Sequence, residues 1–127
     1  MTPIWLPIGA LYIIHDRQIA RHGGAPGIRD KALLENACAR PMNLAAYEDP
    51  DVHDLAAAYA FGISKAHAFI DGNKRTAFVA CATFLRLNGR HLRPEPARGV
   101  RMMEDLAASI VSQGDFATWL RDQTTCL

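Results

Sequence analysis

Two segments of this 127-residue chain are apolar on almost every side of a helix, and they constrain the fold most strongly. Residues 55–63 consist of alanine, leucine, tyrosine, phenylalanine, glycine and isoleucine, and residues 76–87 contain one charged side chain, Arg86. A helix that is apolar all round has to be buried among other elements. We therefore expect an all-α fold with two central buried helices, at about residues 52–66 and 73–88.

Further helices are predicted around this pair because apolar residues recur elsewhere at helical spacing. They are bounded by glycine, proline or a capping aspartate, and they are expected at 8–22, at 30–40, at 97–113 and just after Asp115. Pro41 is expected to end the second of them. Residues 42–50 and 91–96 are predicted as loops, and no segment shows the alternation of a strand. The expectation is a bundle of about six helices in which residues 1–127 form a single domain.

Composition and charge exclude several classes of protein. Hydrophobic residues make up 50% of the chain and charged residues 21%, which excludes a disordered chain. The formal net charge is +1, so no surplus of charge predicts direct binding to nucleic acid or to a membrane surface. Cys38 and Cys81 fall within predicted helices, as reduced core thiols do, and residues 1–10 lack the basic start of a signal peptide. A reducing, cytoplasmic setting is expected.

Residues 67–75, with the sequence HAFIDGNKR, place polar side chains between the two most apolar helices. Polar groups in a core have to be paired or put to use. Gly72 permits a left-handed backbone, and a helix that begins directly after it exposes N–H donors and the positive end of its dipole, which bind phosphate. Lys74 and Arg75 add two cations in that first turn, where a bound anion would stabilise them.

The remaining polar residues of this segment complete a recognisable chemistry. Asp71 can hold Mg²⁺, which prefers one or two carboxylates together with nucleotide oxygens. His67 can accept a proton from an attacking hydroxyl. A base, a metal carboxylate and an anion-binding helix start are the minimum for phosphoryl or nucleotidyl transfer. Lys65, one turn before the segment, is a further candidate for binding phosphate or substrate.

HAFIDGNKR resembles the Fic motif, HPFx(D/E)GNGR, and more closely its death-on-curing (Doc) variant, HxFxxANKR. The flanking sequence agrees. His15 and Asp16, followed by GGAPG at 23–27, resemble the HD…GGxPG segment of Doc toxins, and FLRLNG at 84–89 resembles the FLxxNG end of their central helix. The resemblance to the Fic/Doc superfamily covers about residues 8–115.

The resemblance implies a Fic-like helical fold and ATP-dependent modification of a protein hydroxyl. Doc toxins are kinases that phosphorylate a threonine of translation elongation factor Tu and thereby arrest translation, and a cognate antitoxin neutralises them with a disordered C-terminal segment. The roles implied by position are His67 as catalytic base, Asp71 as magnesium carboxylate, Gly72 and Asn73 as anion nest, Lys74 and Arg75 as contacts to ATP phosphates, and Phe69 as loop anchor.

Departures from the Fic pattern distinguish two activities. Lys74 stands where Fic proteins have the second glycine of GNG, and Phe78 stands where they have a second arginine. Both differences favour the Doc-like kinase, although Gly72 is closer to Fic than the alanine of Doc. The Fic inhibitory motif, (S/T)xxxE(G/N), is not found, which favours control by a separate antitoxin. The alternatives kept are a Fic-type AMP-transferase using the same residues and a catalytically silent interaction module.

Each candidate residue also has a purely structural explanation. Asp71 can cap the following helix by accepting the N–H of Lys74, and His67 can be an ordinary helix-end histidine. A zinc pair of His67 and Asp71 has no third ligand at a clear spacing. The other histidines are expected at the surface or at helix ends: His15, His22, His53 and His91.

Two further groups are explained without a catalytic role. The acidic side chains within residues 48–54 are expected to lie in a solvated loop, with Asp51 as a helix cap. The alternative is that they border a groove for the protein substrate. Phe116 and Trp119 are expected to close the core.

Overall fold

The computed structural model describes residues 2–127, and this part of the chain contains six helices and one two-stranded sheet. The elements are α1 (Ile8–His22), α2 (Lys31–Tyr47), α3 (Val52–Ala66), α4 (Asn73–Leu87), β1 (Arg90–Leu92), α5 (Pro96–Ala107), α6 (Gln113–Gln123) and β2 (Thr124–Cys126). The predicted all-α class and the number of helices are confirmed.

Helices α3 and α4 lie at the centre of the core, as their apolar composition predicts. Every side chain from Leu55 to Ala60 is fully buried, and Phe84 of α4 packs against Tyr59 of α3 with ring centroids 5.0 Å apart. Phe116 and Trp119 of α6 are also buried in this core, as expected. The connection between α3 and α4 is therefore anchored at both ends by buried helices.

The start of α3 is fixed by a capping box. The Asp51 carboxylate accepts the N–H of Asp54 at 2.9 Å, and the Asp54 carboxylate accepts the N–H of Asp51 at 3.0 Å. Arg121 of α6 donates to both carboxylates, at 3.0 Å and 2.6 Å. The predicted cap is confirmed, and this ion pair also joins α6 to α3.

Helix α2 continues to Tyr47, so both the predicted stop at Pro41 and the predicted loop at 42–50 are wrong. Proline has no N–H, so the carbonyl of Ala37 loses its donor within the helix. At this point Gly62 of α3 approaches closely, since a Cβ there would lie 3.2 Å from the Ala37 oxygen. Pro41 is buried, and the packing of the two helices offsets the roughly 3 kcal/mol that an interior proline costs.

The boundary between α5 and α6 also differs from the prediction. Helix α5 ends at Ala107 instead of residue 113, because the chain turns through Ser109, which has a left-handed φ of 62°. Ser112 then caps α6 by accepting the N–H of Asp115 at 3.0 Å. The predicted cap, Asp115, therefore lies in the first turn of α6.

A small sheet occupies part of the region predicted as a loop at 91–96. Strands β1 and β2 pair antiparallel, with Arg90 opposite Cys126 and Leu92 opposite Thr124. Each strand has three residues, which is too short for alternation to be visible in the sequence. The pairing returns the end of the chain to the C-terminal end of α4.

The cysteines carry free thiols, and Cys38 and Cys81 are buried, as expected. Burial raises the pKa of the Cys38 thiol to about 11, so this group is a neutral core side chain. Within residues 2–127, no helix has both the length and the apolar character needed to cross a bilayer.

Candidate active site

The loop of residues 67–72 connects α3 to α4 and carries most of the candidate catalytic groups. Its backbone pairs with the segment that follows α1. The N–H of Ile70 donates to the carbonyl of Gly27 at 3.1 Å, and the N–H of Arg29 donates to the carbonyl of Ala68 at 2.7 Å. These backbone hydrogen bonds form a short β-bridge that holds the loop against the segment after α1.

His67 ends α3 in the left-handed conformation, with φ 50° and ψ 40°. Its carbonyl accepts two hydrogen bonds from the Arg29 guanidinium, at 2.9 Å and 2.7 Å. A left-handed backbone is unfavourable for a residue other than glycine, and it persists where neighbours determine it. The backbone is thus fixed while the residue remains exposed, which suits a group that exchanges a proton with a substrate.

Asp71 uses its carboxylate to fix the loop. One oxygen accepts the N–H of Gly72 at 2.8 Å, and the other accepts the N–H of Ala25 at 3.3 Å. These two hydrogen bonds, the Gly72 bond foremost, lower the pKa of Asp71 and keep it ionised. The alternative in which Asp71 caps α4 through the N–H of Lys74 is wrong, because the carboxylate binds these other donors.

A carboxylate has about four acceptor positions, so the Asp71 oxygens can accept more than these two bonds. An exposed, ionised carboxylate next to an anion-binding helix start fits Mg²⁺, which takes one or two carboxylates together with phosphate oxygens. Among residues 2–127, no three His, Cys, Asp or Glu side chains come together as a ready-made metal cluster. The fit for magnesium therefore rests on Asp71.

Helix α4 begins with unpaired backbone donors facing the loop. Its first residue, Asn73, follows Gly72, which has φ 75° and ψ 19°, and in the described chain no side chain caps the helix. The first helical hydrogen bond at this end runs from the N–H of Thr76 to the carbonyl of Gly72, at 3.0 Å. The N–H groups that precede it are the ones a helix offers to an anion.

One open pocket of about 410 Å³ collects the candidate groups. The motif residues in its lining are His67, Ile70, Asp71, Gly72, Asn73, Lys74 and Arg75, and Ser64 and Ala107 complete it. Arg75 donates one N–H to the carbonyl of Gly23 at 3.0 Å, and its guanidinium has further donors for an anion. A proton acceptor, a carboxylate and two cations thus border the same space.

Comparison with known proteins agrees with this geometry. The sequence profile of the Fic/DOC family matches residues 5–85, more than half of the chain. This chain belongs to the Fic/DOC family. It is 37% identical to the protein kinase doc of Escherichia phage P1 over 87 residues, 68% of this chain and 69% of that protein. It is 44% identical to the toxin Doc of Mycolicibacterium smegmatis (strain ATCC 700084 / mc(2)155) over 72 residues, 55% of each chain.

The resemblance to Doc proteins is therefore confirmed, and the segment that resembles the Doc motif, residues 67–75, comprises the loop described above and the first three residues of α4. Two predicted residues differ in their surroundings from the expectation. The Asn73 side chain accepts the N–H of Phe69 at 3.1 Å and donates to the Phe69 carbonyl at 2.9 Å. Its amide thus closes the loop, which leaves its backbone N–H for the predicted anion nest.

Lys65 is the second residue whose surroundings differ from the expectation. It lies outside the residues that line the pocket, and its ammonium donates to the hydroxyl of Ser109. The same ammonium lies 5.6 Å from the centre of the Phe61 ring. Lys65 is therefore not among the residues that line this pocket, and its role in binding phosphate or substrate stays a prediction.

His15 was not expected near the site, and the prediction that it lies at the surface or at a helix end is wrong, because it is buried in the middle of α1. It is 2% exposed, and its ring stacks on Phe69 with centroids 3.9 Å apart and an angle of 7°. Its Nε2 lies 2.7 Å from the carbonyl oxygen of Asp71. The sequence signal that could have found it is the spacing of four residues from the buried Leu11, which puts both on the core face of α1.

A second pocket of about 460 Å³ adjoins the first between α1, α4 and α5. Phe78, Val79 and Met103 line it with apolar surface, and Lys74 and Arg75 border both pockets. Phe78, which stands at the position of the second Fic arginine, thus lines this apolar groove.

Proposed function

We propose that this chain is a Doc-type toxin that transfers the γ-phosphate of ATP to a protein hydroxyl. The observation that carries the proposal is that His67, Asp71 and the N-terminus of α4 border one open pocket. The relative from phage P1, which bears the name protein kinase, supports the same class of reaction.

The chain's own residues divide the work as follows. His67 accepts the proton of the substrate hydroxyl as its oxygen bonds to the γ-phosphorus and the bond to ADP breaks. The N–H groups at the start of α4 bind phosphate oxygens together with Lys74 and Arg75, and this stabilises charge that spreads over them. Asp71 is the residue that would hold magnesium, which, when bound with ATP, neutralises phosphate charge.

A Fic-type AMP-transferase is the second candidate, and one observation favours it. Gly72 has φ 75°, and a Cβ at this position would lie 3.2 Å from the Ile19 side chain. The glycine of the Fic pattern therefore suits this backbone better than the alanine of Doc. Lys74 and Phe78, which replace Fic residues, support the kinase instead.

The test is to incubate the protein with elongation factor Tu and with ATP labelled on the α- or the γ-phosphate. We expect γ label on a threonine of the elongation factor, and His67→Ala should abolish transfer while ATP binding persists. Transfer of α label would replace the kinase by the AMP-transferase. Transfer of neither label, under conditions in which a known Doc kinase acts, would leave a silent interaction module.

A cognate antitoxin is the proposed regulator, whose disordered C-terminal segment would fold onto the chain. The apolar groove beside Lys74 and Arg75 supports this because it offers buried area next to the proposed phosphate contacts. If a small reading frame next to this gene encodes the antitoxin, its co-expression should relieve the growth arrest that we expect this chain to cause. Growth arrest that persists despite a tight complex between the two proteins would contradict neutralisation. A toxin that acts on translation is proposed to be cytoplasmic.

A further inference from the structure

His15 of α1 makes a directed polar contact with the catalytic loop. The residue is buried, its ring lies flat on Phe69, and its Nε2 is 2.7 Å from the carbonyl oxygen of Asp71. A carbonyl oxygen only accepts hydrogen bonds. Nε2 must therefore carry the hydrogen, which fixes the ring as a donor toward the loop.

The bond acts on one particular peptide group. The peptide between Asp71 and Gly72 directs its carbonyl to His15, while its N–H donates to the Asp71 carboxylate at 2.8 Å. Both ends of this group are thus held, one by α1 and the other by the proposed metal ligand. Rotation of the peptide plane would move the carboxylate and the start of α4 together.

Glycine at 72 makes an external restraint necessary. Glycine adopts positive and negative φ about equally well, so the local sequence does not by itself select the observed φ of 75°. The His15 Nε2 also lies 3.7 Å from the place a Cβ of Gly72 would take, so the ring borders this turn directly. A phenylalanine would fill the same volume and stack on Phe69, but it would leave the Asp71 carbonyl without its donor.

We propose that His15 is a positioning residue, whose Nε2–H holds the Asp71–Gly72 peptide so that the carboxylate and the N-terminus of α4 face the pocket together. Its effect on catalysis rests on the proposed function, whereas its effect on the loop does not. The proposal differs from a role in packing because it assigns the contribution to one hydrogen-bond donor.

Two substitutions separate the donor from the ring. His15→Phe keeps the stacked ring and removes the donor, whereas His15→Gln keeps an N–H at a similar reach and removes the stack. We expect His15→Phe to lower kcat for phosphate transfer about tenfold or more, and to raise the magnesium concentration for half-maximal rate. His15→Gln should recover most of that loss. His91→Phe, on β1, is the control for the same exchange away from the loop.

Wild-type kinetics in His15→Phe, or a larger defect in His15→Gln than in His15→Phe, would overturn the proposal. A readout independent of activity uses the ¹⁵N spectrum of the wild-type imidazole, in which we expect Nε2 to carry the proton at about pH 8. A ring protonated on Nδ1 alone would also overturn it, even if the variants fail to fold. Absence of transfer by the wild type would contradict the proposed function, and the spectrum would still decide the role of His15.

Discussion

Gly24→Ala tests how closely the segment after α1 determines the position of Asp71. A Cβ at residue 24 would lie 2.6 Å from the Asp71 Oδ2, and φ there is +121°, a conformation that side chains rarely adopt. Ordinary contact begins at 3.4 Å, so restoring it would take a relative movement of 0.8 Å (3.4 minus 2.6) between this Cβ and the carboxylate oxygen. The movement would break its hydrogen bond from the N–H of Ala25. A misplacement of about 1 Å in a reacting site can lower the rate about 100-fold.

The assay compares two alanine variants, because backbone strain alone costs about 1–3 kcal/mol. Gly89→Ala also places a side chain at a positive φ, 85°, but it has no atom within 4 Å of its Cβ and lies far from the loop. We expect both variants to lose free energy of unfolding, measured with urea, and Gly24→Ala to lose more because it also displaces the Asp71 carboxylate. Only Gly24→Ala should lower kcat/KM for phosphate transfer, by about 100-fold. Equal activity in the two variants would refute the proposed role of the Asp71 carboxylate.

Three further predictions concern stability. Burial alone would raise the pKa of Asp51, but its hydrogen bonds with Arg121 and with the start of α3 outweigh burial and lower it to about 2. The half-exposed ion pair of Asp51 and Arg121 therefore contributes about 1 kcal/mol of stability, which is present above about pH 4 and is lost as the pH falls toward 2. Arg121→Ala should lose less stability over this pH range, measured by acid unfolding. Asn73→Ala removes two hydrogen bonds to the loop backbone and should cost about 1–3 kcal/mol in urea unfolding. Gly62→Ala should destabilise the fold, because its Cβ would lie 3.2 Å from a backbone oxygen of α2, although about 1 kcal/mol of helix propensity gained by alanine offsets part of the loss. Gly114→Ala, with no atom within 4 Å, should not lower the melting temperature.

Elements with local signals were predicted well from the sequence. Helix α1 has the predicted bounds because Gly23, with φ 81°, ends it. Helix α3 begins where predicted because the Asp51 cap depends only on residues within one turn. These signals act between neighbours in the chain, so they can be read without knowledge of the fold.

Several of the errors occur where a distant residue changes the outcome. Pro41 does not end α2, because Gly62 of α3 lies close to the backbone there and the helix gains more from packing than it loses. Asp71 does not bind the nearby N–H of Lys74, because its two oxygens accept the N–H of Gly72 and the N–H of Ala25, which is far away in sequence. The motif residues could be proposed as a site from the sequence because they are contiguous, whereas His15 reaches them only through the packing of α1.

The segment after α1 thus contributes to the structure of the proposed catalytic loop as directly as the motif itself. Residues 23–29 supply backbone or side-chain partners to His67, Asp71 and Arg75. Catalysis by charge stabilisation requires groups that do not reorganise during the reaction, and these contacts restrain the loop from outside the motif. The GGAPG sequence at 23–27 therefore has a physical reason to accompany HAFIDGNKR, since a side chain at Gly24 would occupy the place of the Asp71 carboxylate.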